Sequence, residues 1–354
     1  NYGVDYLNNK QPHFSPVPST WKKMLNILLF WAGKNVDAFR CDMAEMVPVE
    51  FWNWAIGEVK KQFEGILFIA EVYNPEQYRN YLRIGKFDYL YDKVGLYDTL
   101  KNIMINNQSA HSVTGCWQSV DDIQSNMLNF LENHDEQRIA SDFFAKNPFK
   151  ALPALVVSAT MNSNPFLLYF GQELGEKGMD SEGFSGLDGR TTIFDYWSIE
   201  SIRNWRNKGQ YNENLLSEEQ KELRNYYIKI LQLCNQNKAI REGQFYDLMY
   251  VNTGKPDFNP HRQFAYMRCY EEELLLIVAN FDDRPTDVNV FIPAHAFEYF
   301  GVREDKIKAV KELITNEKYA ADLSKDSDFS VHIKGNNAVI VQFKADCRPL
   351  RVKK

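Results

Sequence analysis

Short apolar runs alternate with amphipathic helical patterns through the first 170 residues, and this alternation limits the folds open to the chain. No hairpin signal separates the runs, which cover residues 36–41, 66–70, 87–91, 127–132 and 166–170. Strands that alternate with helices are typical of a parallel sheet or a (β/α) barrel. Five strands do not close an eight-stranded barrel. The pattern therefore predicts an α/β fold with five parallel strands.

The pattern changes near Gly243. Four short runs then follow one another without obvious helices between them, at residues 264–268, 274–278, 288–292 and 338–343. They predict an antiparallel β domain, preceded by a long amphipathic helix over residues 217–237. We expect a partial (β/α) barrel over residues 1–242 and a C-terminal β-sandwich over residues 243–354.

Acidic residues lie at the ends of three of the first five runs. Asp42 follows the first run, Glu71 the second, and Asp135 comes just after the fourth. The carboxyl ends of parallel strands meet at one edge of a sheet, so we expect one shared site. Arg40 points to the same face as Asp42 and would keep that carboxylate ionised. Alone, each motif is more typical of a structural ion pair, a helix cap or a turn; their joint order indicates a site.

The pair Asp42 and Glu71 has the chemistry needed to cleave an acetal bond between sugars. Such a reaction uses one carboxylic acid to protonate the leaving oxygen and one carboxylate to meet the developing oxocarbenium ion. Aromatic residues make up 14% of the chain, which suits a carbohydrate site because sugar rings stack on aromatic planes. Tyr73, two residues past Glu71, has a sequence reason to lie near the site and is a candidate substrate-binding residue. Cys41 and Met43 are expected to pack behind Asp42.

Other candidate sugar platforms have no such positional argument. They are Trp117, Trp197 and Trp205.

Three motifs closely resemble signature sequences of the α-amylase family of glycoside hydrolases. They are Ala38-Phe39-Arg40-Cys41-Asp42, Phe68-Ile69-Ala70-Glu71-Val72 and Phe130-Leu131-Glu132-Asn133-His134-Asp135. Supporting stretches at residues 169–173, 189–197 and 278–281 extend the resemblance over nearly the whole chain. It implies a (β/α)8-type TIM barrel, of which strands 4–8 are recognised here, followed by an all-β antiparallel sandwich.

The resemblance also implies the role of each site residue. Asp42 would be the nucleophile of a covalent glycosyl-enzyme, Glu71 the acid that becomes the base, and Asp135 the carboxylate that stabilises the transition state. Arg40 and His134 would accompany them as substrate-binding residues. The implied function is a retaining glycoside hydrolase that cleaves α-glucosidic bonds in starch-like α-glucans or oligosaccharides. Its two reacting carboxyl groups would lie about 5–5.5 Å apart.

The chain departs from the family pattern in two places. The Asp-x-x-x-Asn-His pattern of the family's third strand is not found, so we expect a truncated form with impaired activity. Its open barrel edge would favour self-association. Where many amylases carry Lys-His after the nucleophile, this chain has Glu45 and Met46. We therefore assign no metal or cofactor to this chain and expect calcium only in a full-length form.

Composition excludes several other classes of partner. The net charge of -6 argues against a nucleic-acid partner, and no window approaches the roughly 18 apolar residues of a membrane helix. The five cysteines are widely spaced without a CxxC pair, so we expect neither a disulfide framework nor a zinc site.

Two alternative functions stay open. A transglycosidase of the same family would use a second sugar, rather than water, to intercept the Asp42 ester. A non-catalytic glucan-binding or partner-binding protein could be built on the same scaffold. The presence of all three carboxylates argues against this last alternative.

Overall fold

The computed structural model of the protein describes residues 4–5, 11–180, 186–194 and 199–347. The chain forms two compact units. Unit 1 comprises Asn1–Val94 and Asn126–Leu128, and unit 2 comprises Gly95–Ser125 and Asn129–Lys354. The division into domains over residues 1–242 and 243–354 stays a prediction.

Unit 1 contains short strands that alternate with helices. Its strands are β1 (Val4–Asp5), β2 (Gln11–Pro12), β3 (Ala38–Cys41), β4 (Leu67–Ala70) and β5 (Tyr89–Tyr91). Its helices are α1 (Ser19–Ala32), α2 (Val49–Lys60) and α3 (Tyr78–Arg83). Strand β4 is hydrogen-bonded in parallel to β3 on one side and to β5 on the other. The predicted parallel order of these strands is confirmed.

Helix α2 shows why this part of the sequence folds as it does. It begins directly after Pro48, which cannot continue a preceding helix and fixes the backbone at the helix start. Its buried side chains recur at helical spacing: Phe51, Trp52, Ala55, Ile56 and Val59. Helix α1 packs on this face through Trp21, whose ring lies 5.5 Å from that of Phe51. The opposite part of α1 leaves large apolar side chains exposed, namely Met24, Ile27, Phe30 and Trp31.

Unit 2 begins with further helices and the remaining parallel strands. Strand β6 (Met127–Phe130) starts in unit 1, where Met127 and Leu128 pair in parallel with β5. In unit 2, its last two residues pair in parallel with β7 (Phe166–Leu167). The helices of unit 2 are α4 (Asp98–Met104), α5 (Ser112–Ser119), α6 (Leu152–Thr160), α7 (Glu200–Arg206), α8 (Glu218–Gln236), α9 (Lys238–Arg241), α10 (Met249–Asn252) and α11 (Ala294–Phe300). The predicted long amphipathic helix is α8, which begins with a reciprocal capping box between Ser217 and Gln220.

The C-terminal part of unit 2 is antiparallel, as predicted. One sheet has the strand order β13-β12-β15-β10-β9-β8 and a second pairs β11 with β14. These strands are β8 (Gln244–Asp247), β9 (Gln263–Tyr270), β10 (Glu273–Asn280), β11 (Thr286–Ile292), β12 (Lys306–Glu312), β13 (Asp322–Ser324), β14 (Ser327–Ile333) and β15 (Asn337–Lys344). The sheets contact each other through Phe329 and Phe343, whose rings lie 5.3 Å apart.

Two expectations for this region were wrong. Helix α11 interrupts the succession of strands, and it ends at Gly301, whose φ of 70° suits a residue without a Cβ. Cys269 and Cys347 form a disulfide across 78 residues of sequence, although their spacing gave no sign of it. The structure brings the two cysteines together because β9 and the segment after β15 flank the same strand, β10.

Candidate active site

Asp42 and Glu71 follow neighbouring parallel strands of unit 1. Cys41 at the end of β3 is in register with Ala70 at the end of β4, so the two acids come next on adjacent strands. The backbone continues this pairing, because the N–H of Glu71 donates to the carbonyl of Cys41 at 3.1 Å. Beyond it, the N–H of Ala44 donates to the carbonyl of Glu71, also at 3.1 Å. Main-chain hydrogen bonds thus hold the backbone on either side of Asp42 against that of Glu71 at one end of the sheet.

Arg40 connects the two carboxylates. Its Nη1 donates a hydrogen bond to Oδ1 of Asp42, and its Nη2 lies 3.0 Å from Oε1 of Glu71. The guanidinium also lies over the ring of Tyr91, 5.4 Å from the centroid. Burial lowers the pKa of Arg40, but the hydrogen bonds with Asp42 and Tyr91 and the charge of Glu71 outweigh it, and the net pKa is raised. One permanent cation therefore serves both acids.

The two acids differ sharply in exposure. The side chain of Asp42 is 72% exposed, whereas that of Glu71 is only 4% exposed. Each oxygen of Glu71 accepts a further hydrogen bond: Oε1 from the hydroxyl of Tyr73 at 2.6 Å and Oε2 from the N–H of Met43 at 2.8 Å. Asp42 can meet a ligand directly, while Glu71 is oriented by fixed donors.

Met43 does not pack behind Asp42 as expected. Cys41 is buried as expected, and burial raises the pKa of its thiol to about 12. The side chain of Met43 is instead 48% exposed, and its backbone adopts φ 45°, in the left-handed region. This conformation turns the N–H of Met43 toward Glu71. A non-glycine residue there carries backbone strain of about 1–2 kcal/mol.

His134 and Asp135 belong to unit 2. They lie in the loop after β6, where Oδ1 of Asn133 accepts the N–H of Asp135 at 2.9 Å and that of Glu136 at 2.8 Å. Nε2 of His134 lies 3.2 Å from Oδ2 of Asp135, whose side chain is 48% exposed. The structure thus groups Arg40, Asp42, Glu71 and Tyr73 in unit 1, and His134 with Asp135 in unit 2.

A buried ion pair that sequence reasoning missed closes the loop of His134 and Asp135. Glu132 Oε2 accepts from Nη1 of Arg138 at 2.7 Å, and its Oε1 accepts from the N–H of Ile139 at 2.7 Å. The side chains of Glu132 and Arg138 are 2% and 0% exposed. Burial raises the pKa of Glu132, while Arg138 and the N–H of Ile139 oppose this shift. A glutamate inside an apolar run, with an arginine six residues later, was the sequence signal for this pair.

The other candidate sugar platforms are three tryptophans. Trp117 is in α5 of unit 2, where its indole N–H donates to Oδ2 of Asp247 at 2.7 Å. Trp205 contacts Tyr211 at a ring distance of 5.3 Å, and Trp197 lies outside the described residues.

Within the described ranges, no three or more His, Cys, Asp and Glu side chains cluster in a way that could hold a metal ion. Across the same residues, no helix is both long enough and apolar enough to span a membrane.

Residues 5–243 match the model of the α-amylase catalytic domain, and the chain therefore belongs to the α-amylase family. The match confirms the family that the three sequence motifs indicated. A 73-residue segment is 36% identical to the α-1,4-glucan:maltose-1-phosphate maltosyltransferase of Cereibacter sphaeroides, covering 21% of this chain and 12% of that protein. A 163-residue segment is 30% identical to the α-amylase MalA of Haloarcula japonica, covering 44% and 23% respectively. The matches thus span less than a quarter of these relatives' own length.

Solved structures show the same fold at low sequence identity. The maltogenic α-amylase AmyB from Thermotoga neapolitana superposes with a TM-score of 0.66 at 17% identity, over 97% of this chain and 72% of that one. The α-amylase of Geobacillus thermoleovorans, complexed with acarbose, gives a TM-score of 0.66 at 17% identity, over 92% and 64%. The expectation of an α-amylase-family fold, with parallel strands and antiparallel sheets, is confirmed. The assignment of the parallel strands as barrel strands 4–8 stays a prediction.

Proposed function

We propose that the protein is a retaining glycoside hydrolase that cleaves α-glucosidic bonds in starch-like α-glucans or oligosaccharides. One observation carries this proposal: Arg40 bridges an exposed Asp42 and a buried Glu71 that follow adjacent parallel strands. The pair supplies an exposed carboxylate and an oriented one, as a double displacement requires. Family membership and the acarbose complex of a structurally similar α-amylase support the class of substrate.

In the first step, Asp42 would act as the nucleophile. An Oδ atom would form a bond to the anomeric carbon of the sugar as the bond from that carbon to the leaving oxygen breaks. The leaving oxygen would take its proton from Glu71. The ion pair with Arg40 orients the carboxylate of Asp42, and the 72% exposure of that side chain gives a sugar access to it.

In the second step, Glu71 would act as the base. It would take a proton from water as the water oxygen bonds to the anomeric carbon and Asp42 leaves as a carboxylate. Arg40, the Tyr73 hydroxyl and the N–H of Met43 hold the carboxyl group of Glu71 in place for this proton transfer. The first half requires that Glu71 carry its proton once the sugar has displaced water from the site.

Asp135 and His134 complete the proposal. Asp135 would stabilise the positive charge that develops on the sugar, and His134 would bind a sugar hydroxyl. Their loop has the rigidity for such a task because the Asn133 turn and the buried Glu132–Arg138 pair hold it at both ends.

Transglycosylation is the second candidate, and the 36% identity with a maltosyltransferase over 73 residues favours it. The chemistry up to the Asp42 ester is shared, and only the acceptor differs. The products formed from a maltooligosaccharide distinguish the two: hydrolysis gives shorter sugars only, whereas transfer also gives longer ones.

Two variants test the assignment against a matched control. Glu71→Gln and Asp42→Asn should each lower the rate of maltooligosaccharide cleavage by about 10²-fold or more. Glu50→Gln replaces an exposed glutamate in the first turn of α2 and should leave the rate unchanged. A fluorinated glycosyl fluoride should leave a covalent sugar on the peptide that contains Asp42, detected by mass spectrometry. Unchanged turnover in the Glu71 variant, or an adduct on another residue, would contradict the proposal.

A crystal structure provides a geometric test of the retaining mechanism. The Asp42 and Glu71 carboxyl groups should lie about 5–5.5 Å apart, and a separation above about 6.5 Å would indicate inversion.

A further inference from the structure

A second cleft lies in unit 2, and none of its lining residues has a role in the proposed catalysis. It has a volume of about 690 Å³. Five aromatic side chains line it, and we call it the aromatic cleft: Trp117, Phe245, Tyr246, Tyr250 and Tyr299. They come from α5, β8, α10 and α11, so residues distant in sequence converge on it.

The buried guanidinium of Arg268 lines the aromatic cleft and is bound by protein oxygens. Arg268 is 1% exposed. Its guanidinium donates to the carbonyls of Met161, Ala239, Ile240 and Gly243 and to the hydroxyl of Ser163. Nε and Nη1 each donate to one of these acceptors, and Nη2 lies within hydrogen-bond distance of three. All three nitrogens of Arg268 thus bind protein oxygens, and its burial leaves little of the cation open to a ligand.

The central carboxylate of the cleft is engaged as well. Oδ2 of Asp247 accepts from the hydroxyl of Thr114 and the indole N–H of Trp117, both at 2.7 Å. Its Oδ1 accepts from the N–H of Met249 at 2.7 Å. Asp121 and His295 also line the cleft, and Nδ1 of His295 hydrogen-bonds the Tyr246 hydroxyl at 2.9 Å. The carboxylate of Asp121 is exposed and can accept a hydrogen bond from a ligand hydroxyl.

The aromatic rings are held in place while part of their surface stays open. The bond to Asp247 fixes the indole of Trp117, and Phe245 contacts its ring at 5.2 Å, edge to face. Tyr246 lies 5.4 Å from the ring of Tyr299 and 6.2 Å from that of Tyr250, and it hydrogen-bonds the Tyr250 hydroxyl. Tyr250 is 58% exposed and Tyr299 38% exposed. Rigid, partly open rings stack on the C–H faces of a sugar at little entropic cost.

Uncharged polar groups also line the cleft. Gln118, Ser125 and Asn162 contribute an amide, a hydroxyl and a second amide. Nε2 of Gln124 is buried and has no hydrogen-bond partner among the residues that the structure describes. A buried donor without a partner costs free energy, and a ligand hydroxyl would supply the missing acceptor.

We propose that the aromatic cleft is a second, non-catalytic binding site for a neutral oligosaccharide, namely an α-glucan chain. The stacking surfaces and uncharged polar groups define the chemistry of the ligand. The choice of an α-glucan rests on the proposed function. The site would hold a substrate chain by contacts that do not involve Asp42 or Glu71.

The test uses the full chain with Glu71→Gln, so that no substrate is consumed, and maltoheptaose as the probe. Tryptophans are replaced by 5-fluorotryptophan, and the ¹⁹F signal of Trp117 is assigned with a Trp117→Phe variant. Maltoheptaose should shift this signal saturably. Adding Tyr250→Ala and Tyr299→Ala should raise the concentration needed by at least about tenfold, because two stacking surfaces are lost. Tyr211→Ala, at an equally exposed tyrosine outside the cleft, should change nothing.

The outcomes separate this inference from the proposed function. With Glu71 intact, the Tyr250→Ala/Tyr299→Ala variant should keep the wild-type kcat/KM on maltotriose. A saturable Trp117 shift with no cleavage activity would support the cleft while contradicting the catalytic proposal. No shift with maltoheptaose, equal affinity in the variant, or a shift caused by inorganic phosphate instead would overturn the cleft as a sugar site.

Discussion

Replacing Glu132 by Gln should destabilise the protein far more than the small chemical change suggests. Glu132 accepts one hydrogen bond on each oxygen, from Arg138 at 2.7 Å and from the N–H of Ile139 at 2.7 Å. A glutamine has one acceptor oxygen and one NH₂ group. Whichever way the amide turns, its NH₂ group faces another donor, either the guanidinium of Arg138 or the N–H of Ile139.

The magnitude follows from burial. The side chains of Glu132 and Arg138 are 2% and 0% exposed, so neither lost contact can be replaced by water. Arg138 would keep its bonds to Phe170 and Thr191, at 2.9 and 3.3 Å, but would lose its counter-charge. Removing one partner of a buried ion pair typically costs about 3–5 kcal/mol. We expect Glu132→Gln to lower the free energy of unfolding by about that amount.

Urea unfolding followed by circular dichroism measures this loss, and a double-mutant cycle isolates its cause. Arg138→Met alone should cost a similar amount, because it leaves Glu132 charged and buried. The double variant Glu132→Gln/Arg138→Met should be more stable than the sum of the single losses predicts, because no uncompensated charge remains. Glu136→Gln in the same loop is the control and should cost less, because Tyr97 and Lys101 both donate to Oε2 of Glu136, where an amide oxygen can still accept.

A small effect would refute this reasoning. If Glu132→Gln costs less than about 1 kcal/mol, the pair does not hold the loop as a buried ion pair. Additive losses in the double variant would lead to the same conclusion.

Three further predictions concern stability and association. Reducing the Cys269–Cys347 disulfide, which spans 78 residues, should lower the free energy of unfolding by about 4 kcal/mol, and an unchanged urea midpoint would contradict this. Burial and nearby acids raise the pKa of Tyr81 to about 12, so its stabilising effect is complete below about pH 10 and is lost as pH rises through 12. Between pH 9 and 11 the free energy of unfolding should fall by about 1 kcal/mol more in the wild-type protein than in Tyr81→Phe. Parallel plots of the unfolding free energy against pH for the two proteins would refute this. The predicted self-association should weaken in Phe30→Lys/Trp31→Lys, which alters exposed side chains of α1, and sedimentation velocity that shows the same oligomers in both proteins would contradict it.

The parallel strands could be predicted from the sequence because each has a local apolar pattern of its own. Residues 66–70 form an uninterrupted apolar run that ends in an acid, and the structure has β4 at Leu67–Ala70. Strand β14 also carried a signal, because Phe329, Val331 and Ile333 are buried on one face and alternate with exposed residues. The four predicted runs do not include this segment, because polar residues between the apolar ones lower its apolar content.

Long-range contacts had no such local pattern. The disulfide joins residues 78 positions apart, and a sequence spacing cannot report the register of strands β9 and β10. The candidate site shows the same limit. The order of the acids predicted that Asp42 and Glu71 follow adjacent strands, but not the hydrogen bond from the N–H of Met43. That bond depends on a left-handed backbone at Met43, for which a methionine gives no signal.

The sharing of one guanidinium by two acids has a consequence for the proposed chemistry. In the proposed first step Glu71 carries its proton, so Asp42, Glu71 and Arg40 together begin with no net charge. As that proton passes to the leaving oxygen, Glu71 would become anionic while the sugar takes on oxocarbenium character, so the group of three and the reacting sugar stay neutral together. A second cation in place of Tyr73 would remove this balance, whereas the Tyr73 hydroxyl orients Glu71 without adding charge. The charges fixed before the sugar binds thus favour the charge that develops during reaction, which is the condition for electrostatic stabilisation of a transition state.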